Sequence, residues 1–552
     1  MGGWGSVRGG EGLRLGDLES PAVGCQRSVA GLGGEQFDRL VGVAVPLAEL
    51  GTTGGVVGRA ATDFSATRRD HRRASTGQVD LAGSLDDDHL GAAHRALEAC
   101  TWLQLDHVGF PLGSPIGVLS LAREVVGRKV RVGFASVGAM AELDQVATWA
   151  NCGAMSLTGR VDGPPLVGPA GLVDAAASVA ADLATMTKRL GHEVAIDGPS
   201  LLAERAAFAG LHRRGSVSVG GAARFERCGD GWVVLNLARP EDVATLPALV
   251  EAAVDPEDWE ALRRELRRRS AADLVQRGRL LGLAIARPAE RPQTPAPGHE
   301  IHRGPTRPVR ARPVVLDFSS LWAGPLASSF LADAGARVIK VEGQGRPDGA
   351  RSGPAAFYDL LNAGKETITI DFGDRADQAL LRRMVAAADL VIEASRPRAM
   401  AAVGLDPSTV VEASATSWLS ITGHGRIDDP DRIGFGDDAA VAGGLWIDDP
   451  GSPMFVADAV ADPVAGLAAA AMAVELLVDE RASVVEVPLS RAAAWAQRRP
   501  MTAPVEPEGD GWVVALGGER VAVASPTVTR SRGEAAPIDA HGAALRAEFS
   551  ER

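Results

Sequence analysis

Between residues 314 and 421, short apolar runs alternate with helical patterns, and this alternation restricts the fold more than any other feature. Val314-Val315-Leu316-Asp317-Phe318 reads as a strand. Ala323-Gly324-Pro325 then opens a helix with Leu326, Phe330 and Leu331 on one face, and Gly335 stands where that helix would stop. Val338–Glu342, Thr367–Asp371, Leu390–Glu393 and Ser417–Ile421 read as further strands, with a helix between them reaching about Ala388. Strands joined through helices run parallel, so the pattern predicts an α/β fold with a Rossmann-like parallel sheet. No G-x-G-x-x-G follows the first strand, so the dinucleotide fingerprint is absent.

A chain of 552 residues is too long for one core. Residues 287–313 carry seven prolines (288, 292, 295, 297, 305, 308, 313) amid Arg, Gly and His, and read as an extended linker. Before it, residues 145–286 show helices over Leu172–Leu190, Leu201–Leu211 and Trp259–Arg268 and one strong strand, Trp232–Leu237, as in a smaller α+β domain. Residues 314–500 form the parallel-sheet domain, and residues 1–144 are left unassigned. Gly229-Asp230-Gly231-Trp232-Val233-Val234 recurs as Gly509-Asp510-Gly511-Trp512-Val513-Val514, a hairpin signal in both places. The two are either unrelated hairpins with the same turn or a partial duplication of one small domain, and on the second reading residues 501–552 are a truncated second small-domain segment and tail.

A net charge of −13 argues against a nucleic-acid binder, which needs a dense basic face. The cysteines, Cys25, Cys100, Cys152 and Cys228, have no metal or disulfide spacing and point to reduced thiols, hence a cytoplasmic setting. The N-terminus lacks a charged segment followed by an apolar run. The apolar stretch Val464–Val478 is interrupted by Glu475 and is too short for a bilayer, so it is expected to be a buried helix and no membrane partner is expected.

That helix begins at a notable acid. Val456-Ala457-Asp458-Ala459-Val460-Ala461-Asp462-Pro463-Val464-Ala465-Gly466-Leu467 places Asp462 at its mouth, with Pro463 at the first helical position. A carboxylate there is either a plain helix cap or a nucleophile kept ionised by free N–H groups. Asp458, four residues earlier, is its rival.

The second half resembles the family III CoA-transferases, which include formyl-CoA transferase, carnitine CoA-transferase and α-methylacyl-CoA racemase. The resemblance rests on an ordered series of pieces. These are Leu316-Asp317-Phe318-Ser319, Ala323-Gly324-Pro325, Leu331 to Glu342, Asn362-Ala363-Gly364-Lys365, Ala388 to Glu393 with Arg396-Pro397, Gly404-Leu405, Ile421-Thr422-Gly423-His424-Gly425 and Ala461 to Gly466. The first half is similar to the later part of the same family, in Leu201-Leu202, Arg205-Ala206-Ala207 and the run Arg213 to Gly221 leading into Gly231-Trp232. The usual order is thus altered, with small-domain material first. The family forms an interlocked dimer, so a homodimer or an intrachain pseudo-dimer is implied.

The resemblance implies transfer of CoA, as substrate, between an acyl-CoA and a carboxylic acid. Asp462 matches the family's catalytic aspartate, which forms a mixed anhydride and then an aspartyl-CoA thioester. Gly215, Gly220 and Gly221 match its glycine loop, reduced here to a pair with Val217 and Val219 intervening. Ala323, Gly324 and Lys365 match positions around CoA. Arg346, Arg396 and Arg398 follow strands two and four and are candidates for its phosphates, whereas Lys340 is expected to reach solvent. Racemases of the family use a histidine in a Gly-His-Asp segment. Gly434-Phe435-Gly436-Asp437-Asp438 has Phe435 there, which weakens racemase or isomerase chemistry, and His424 reads as a loop residue. No metal is implied, because Asp437 and Asp438 have no His or Glu at ligand spacing. The altered order and thinned loop also fit a catalytically inactive CoA-binding protein.

Overall fold

A computed structural model describes residues 137–449 and 451–550, together with strands β1 (Gln78–Asp80) and β2 (Arg131–Gly133), which pair antiparallel. The chain divides into two compact units, Met1–Ser136 with β1 and β2, and Val137–Arg552. Most of the unassigned N-terminal region, with Cys25 and Cys100, lies outside the described residues. All that follows concerns the second unit.

Its centre is a seven-stranded sheet in the order β6-β12-β11-β10-β7-β8-β9. The strands are β6 (His299–Thr306), β7 (Val314–Asp317), β8 (Arg337–Gly343), β9 (Glu366–Ile370), β10 (Leu390–Glu393), β11 (Ser417–Thr422) and β12 (Arg481–Pro488). All neighbours run parallel except β6, which is antiparallel to β12. Successive side chains of a strand point to opposite faces, and the strands are apolar on both. Val315, Leu390, Ile392, Leu419 and Ile421 join one core, while Leu316, Val391 and Trp418 join another. The sheet is therefore buried on both faces, as the alternation predicted.

The helices that cover it follow from their ends. Numbered along the chain, those of residues 137–286 are α1 (Val137–Asn151), α2 (Leu172–Thr187), α3 (Glu204–Ala209), α4 (Pro240–Leu249), α5 (Trp259–Leu266) and α6 (Ala271–Leu281). Those after β7 are α7 (Ala323–Asp333), α8 (Ala355–Asn362), α9 (Arg375–Ala387), α10 (Pro397–Ala402), α11 (Pro407–Ser414), α12 (Gly436–Ala442), α13 (Ala461–Val478), α14 (Leu489–Ala496) and α15 (Gly542–Ser550). At the end of α7, Gly335 takes φ +110°; its N–H donates to Ala332 O (3.1 Å) and that of Ala336 to Leu331 O (3.0 Å), a Schellman closure. Among the described residues, α13 is the one helix long and apolar enough to cross a membrane, and it lies mostly buried in the protein. It packs against α7, where a Cβ on Gly466 would stand 2.9 Å from Ala323 O.

The smaller α+β portion is a sheet of β3 (Ala223–Arg227), β4 (Trp232–Asn236) and β5 (Ala284–Ala286), with α4, α5 and α6 enclosing its core. The repeated Gly-Asp-Gly-Trp motif turns the β3–β4 hairpin and the hairpin of β13 (Val505–Glu508) and β14 (Gly511–Leu516), which β15 (Glu519–Ala522) extends.

Three sequence boundaries are corrected. Residue 145 falls inside α1, which begins at Val137. The proline-rich stretch is more than a linker. Its residues 299–306 form edge strand β6, where Pro305 costs no central ladder bond, and Ala289 N and Arg291 N donate to Val441 O and Ala442 O (both 2.9 Å). Residues 523–541 form a strap. Thr367 N of edge strand β9 donates to His541 Nδ1 (3.1 Å), Thr369 N donates to Asp539 Oδ1 (2.7 Å), and α15 buries Leu545 and Phe549 beyond. The strap thereby occupies donors that an open sheet edge would expose.

Candidate active site

Asp462 lies in the first turn of α13, one turn before the Gly466 contact with Ala323, and so at the carboxyl end of the sheet. The helix begins at Ala461, so Asp462 is not the N-cap and Pro463 is not the first helical residue; both lie in the first turn, where Asp462 N donates to Ala459 O (2.9 Å) and Pro463 has no N–H to give. The approach is strained: Ala457 and Ala459 take φ +46° and +45° without being glycine, and fully buried Asp458 sits between them. Two groups from residues 137–286 hold this turn. Thr158 Oγ1 accepts from Ala457 N (3.0 Å), and Arg205 of α3 clasps Asp458 with both arms of its guanidinium, one of them at 2.9 Å.

Facing Asp462 is the start of α12. A Cβ built on Gly436 would stand 2.3 Å from Asp462 Oδ2 and 2.5 Å from Ala459 O, so the carboxylate rests directly on glycine backbone. Asp437 and Asp438 follow. Asp438 Oδ1 accepts from Phe435 N (2.9 Å) and from Asn236 Nδ2 of β4 (2.8 Å). Its other oxygen faces His424 Nε2 at 3.9 Å, and both atoms are buried without a hydrogen-bond partner. His424 does lie in a loop, after β11, but it is buried there, and burial pushes its pKa down, which favours the neutral ring. The spacing reading of Asp437 and Asp438 missed this histidine because it arrives from another loop, after β11. Among the described residues, no cluster of three or more potential metal ligands occurs.

Four carboxylates thus gather around one bound arginine. Burial raises Asp462 to about 7, reinforced by Asp437, Asp458 and Asp438 and opposed by Arg205. Burial likewise raises Asp437 to about 7, with Asp458 and Asp438 adding to it and Arg205 and Ser218 opposing. The expectation that free helix N–H groups keep the acid fully ionised is corrected: desolvation and like charge outweigh the helix terminus.

The glycine loop lies beside this cluster. Gly215 and Gly221 take φ +64° and +84°, and a Cβ on Gly220 would come 3.4 Å from Arg205 Nη2. Ser218 N donates to Ala223 O (2.8 Å), Ser216 Oγ donates to Pro453 O (2.7 Å), and Phe455 N donates to Gly215 O (3.0 Å), so the loop is tied to the segment that leads into Asp458.

The two lysines sit elsewhere than expected. Lys365 is fully buried, and its Nζ meets Asp317 Oδ2 (3.0 Å), Ser328 Oγ (2.7 Å), Asn362 Oδ1 (3.0 Å) and Pro325 O (3.1 Å). An ammonium has three donors, so none is left for a phosphate. Lys340 is also fully buried, against Asp348 (2.8 Å) and Ser319 O (3.0 Å), rather than reaching solvent. Ala323 and Gly324 are buried where α7 leaves β7, with a Cβ on Gly324 only 2.2 Å from Ser319, so their part is close packing at the strand end. The arginines do converge. Arg396 is half-buried, which lowers its pKa, and Arg398, Arg239 and Arg346 lower it further. Arg239, from the loop after β4, was missed because its motif carries no signal for the fourth strand's neighbourhood.

The fold is thus α/β, with a parallel-rich sheet whose carboxyl edge holds a partly buried acid at a helix mouth. Residues 313–524 match the family model of CoA-transferase family III. The chain is similar to a succinate–glutarate CoA-transferase of Agrobacterium fabrum, 37% identical over 126 residues that cover 20% of this chain and 32% of that protein. It is also similar to a probable fatty acyl-CoA transferase of Mycobacterium tuberculosis, 33% identical over 193 residues covering 31% and 48%. A crystal structure of a hypothetical protein from M. tuberculosis aligns at 29% identity and a TM-score of 0.34, covering 38% of this chain and 64% of that one. The chain spans less than half the length of these curated relatives.

Proposed function

We propose that the protein transfers CoA from an acyl-CoA to a carboxylic acid, with Asp462 as the nucleophile. The observation that carries this reading is the placement of the Asp462 carboxylate. It is poorly solvated, seated on Gly436 backbone at a helix mouth, and flanked by the glycine loop. A carboxylate short of solvation attacks a thioester carbonyl more readily than a hydrated one. Its attack expels CoA thiolate and leaves an aspartyl–acyl anhydride. The thiolate then attacks the Asp462 carbonyl, releasing the donor acid with one aspartyl oxygen and leaving an aspartyl-CoA thioester. An acceptor carboxylate repeats the two steps in reverse, which restores Asp462 and forms the new acyl-CoA.

Arg346, Arg396, Arg398 and Arg239 would hold the CoA phosphates, since they follow β8, β10 and β4 and gather at one place. The loop of Gly215, Gly220 and Gly221 would exclude water from the anhydride. Arg205, Gly220 and Asn236 all come from residues 137–286 of the same chain, so both halves of one chain would contribute to the site.

The test is trapping. Acetyl-CoA or succinyl-CoA with hydroxylamine should inactivate the protein and convert Asp462 to a hydroxamate, read as a mass change on its peptide. Retention of activity with an unmodified Asp462 peptide contradicts the reading. A second reading, acyl-CoA racemisation, draws on the buried His424–Asp438 pair; exchange of the substrate α-proton with solvent deuterium would favour it.

A further inference from the structure

We propose that Arg205 is a positioning residue for Asp462: by clasping Asp458 it holds the strained turn that delivers Asp462 to the mouth of α13, and its charge offsets the carboxylates gathered there. It rests on Asp462 being the reactive acid only for its catalytic consequence; the placement stands on geometry.

The geometry has three parts. First, the Ala457–Ala459 turn places two alanines in the left-handed region, a strained conformation that persists only where surrounding contacts impose it. The bidentate Arg205–Asp458 pair lies between those alanines and is the charged contact that can impose it. Second, the arginine is itself fixed. Its Cζ lies 5.0 Å from the Trp322 ring centroid, and Trp322 packs edge-on against Phe357 with centroids 5.4 Å apart. Third, its neighbour Glu204, itself fully buried, is held by the C-terminal strap, with Arg530 Nη2 at 2.6 Å and Thr529 Oγ1 at 3.4 Å, whereas Arg205 is only partly buried. The short helix α3 is therefore clamped on one side by the strap and clamps the site turn on the other. Thr529 and Arg530 lie beyond residue 524, where the family segment ends.

The charges facing Asp462 are Asp437 and Asp438 on α12, Asp458 on the turn and Arg205 on α3, with His424 facing Asp438 from the loop after β11. Of these, Arg205 alone carries a positive charge, since His424 is neutral. Its loss should raise the proton affinity of Asp462.

The test is a titration of Asp462 by carbon NMR on aspartate-labelled protein, assigned by the signal missing in Asp462→Asn. It is run on the wild type and on Arg205→Gln, Arg205→Lys and Arg530→Gln, with near-ultraviolet circular dichroism checking the fold. The account expects the Asp462 midpoint to rise by about one pH unit, a tenfold gain in proton affinity, in Arg205→Gln. Arg205→Lys should recover part of the shift, and Arg530→Gln should show a smaller rise in the same direction. The acid limb of kcat/KM should move with the midpoint. A rise in the midpoint without movement of that limb would uphold the placement while contradicting Asp462 as nucleophile. Folded Arg205→Gln and Arg205→Lys proteins with the wild-type midpoint would overturn the proposal. Should Arg205→Gln fail to fold, Arg205→Lys and Arg530→Gln decide it by the same readout.

Discussion

Two clusters of buried charge lie near the carboxyl edge of the sheet and are built on opposite terms. Around Asp317 and Asp348 each carboxylate has its own lysine, Lys365 at 3.0 Å and Lys340 at 2.8 Å. Although burial opposes it, these lysines hold Asp317 well below the usual carboxylate range, with Ser319 and Ser328 adding hydrogen bonds. Burial in turn lowers Lys365 to about 8, with Lys340 adding to the effect and Asp317 resisting it. Around Asp462, by contrast, Arg205 is spent on Asp458, and Asp437 and Asp462 are pushed up to about 7. The balanced cluster ties α7 and the Asn362–Lys365 turn to the sheet, whereas the unbalanced one keeps protons exchangeable near neutrality. Buried charge by itself therefore does not mark a reactive site; the mismatch does.

The largest effect should come from Asp462→Asn. It removes the attacking oxygen and should lower CoA exchange about 10³-fold or more, measured by initial rates, with the fold intact. Gly436→Ala comes next. The added methyl must displace the Asp462 carboxylate, and a misplacement of about 1 Å should cost roughly 10²-fold in kcat.

Stability separates the clusters by sign. Lys365→Met leaves Asp317 buried and poorly matched, and should destabilise by about 3–5 kcal/mol in urea unfolding. Asp437→Asn should instead stabilise at pH 8, by about 1–2 kcal/mol. The sign follows from proton binding. Asp437 and Asp462 have folded pKa values raised from 3.8 to about 7, so the native state holds more protons than the unfolded state between those values. Their contribution to stability therefore falls as pH rises from 3.8 to about 7, and the deficit is complete above it. Urea midpoints at pH 5 and pH 8 should show a larger Asp437→Asn gain at pH 8 than at pH 5. The smallest effect belongs to Arg396→Ala, which should weaken CoA binding roughly three- to tenfold, less so in high salt, by calorimetry.

Much of this was legible along the chain and some was not, for physical reasons. Strands β7 to β11 and helix α7 were readable because a parallel sheet buried on both faces needs continuous apolar runs with glycine punctuation. β6 was hidden because an edge strand with one wet face can be polar and carry Pro305. The motif also led to Asp462, but not to its environment. Arg205 and Asn236 reach the site from far along the chain: 253 positions separate Arg205 from Asp458, and 202 separate Asn236 from Asp438. No local periodicity reports such a pairing. Lys365 misled because a cation in a motif looks like a ligand for phosphate, and Lys340 because a lysine at a strand end usually reaches solvent; only the folded neighbourhood shows their donors already used.

The central claim, that Asp462 carries the transferred group, is open to one direct measurement. The protein would be turned over with succinyl-CoA and glutarate labelled with oxygen-18 in its carboxylates, and the Asp462 peptide weighed. Because each cycle gives one aspartyl oxygen to the departing acid and takes one from the acceptor, the account predicts label in that peptide, rising with turnover. Formation of glutaryl-CoA with no label in Asp462 would contradict it.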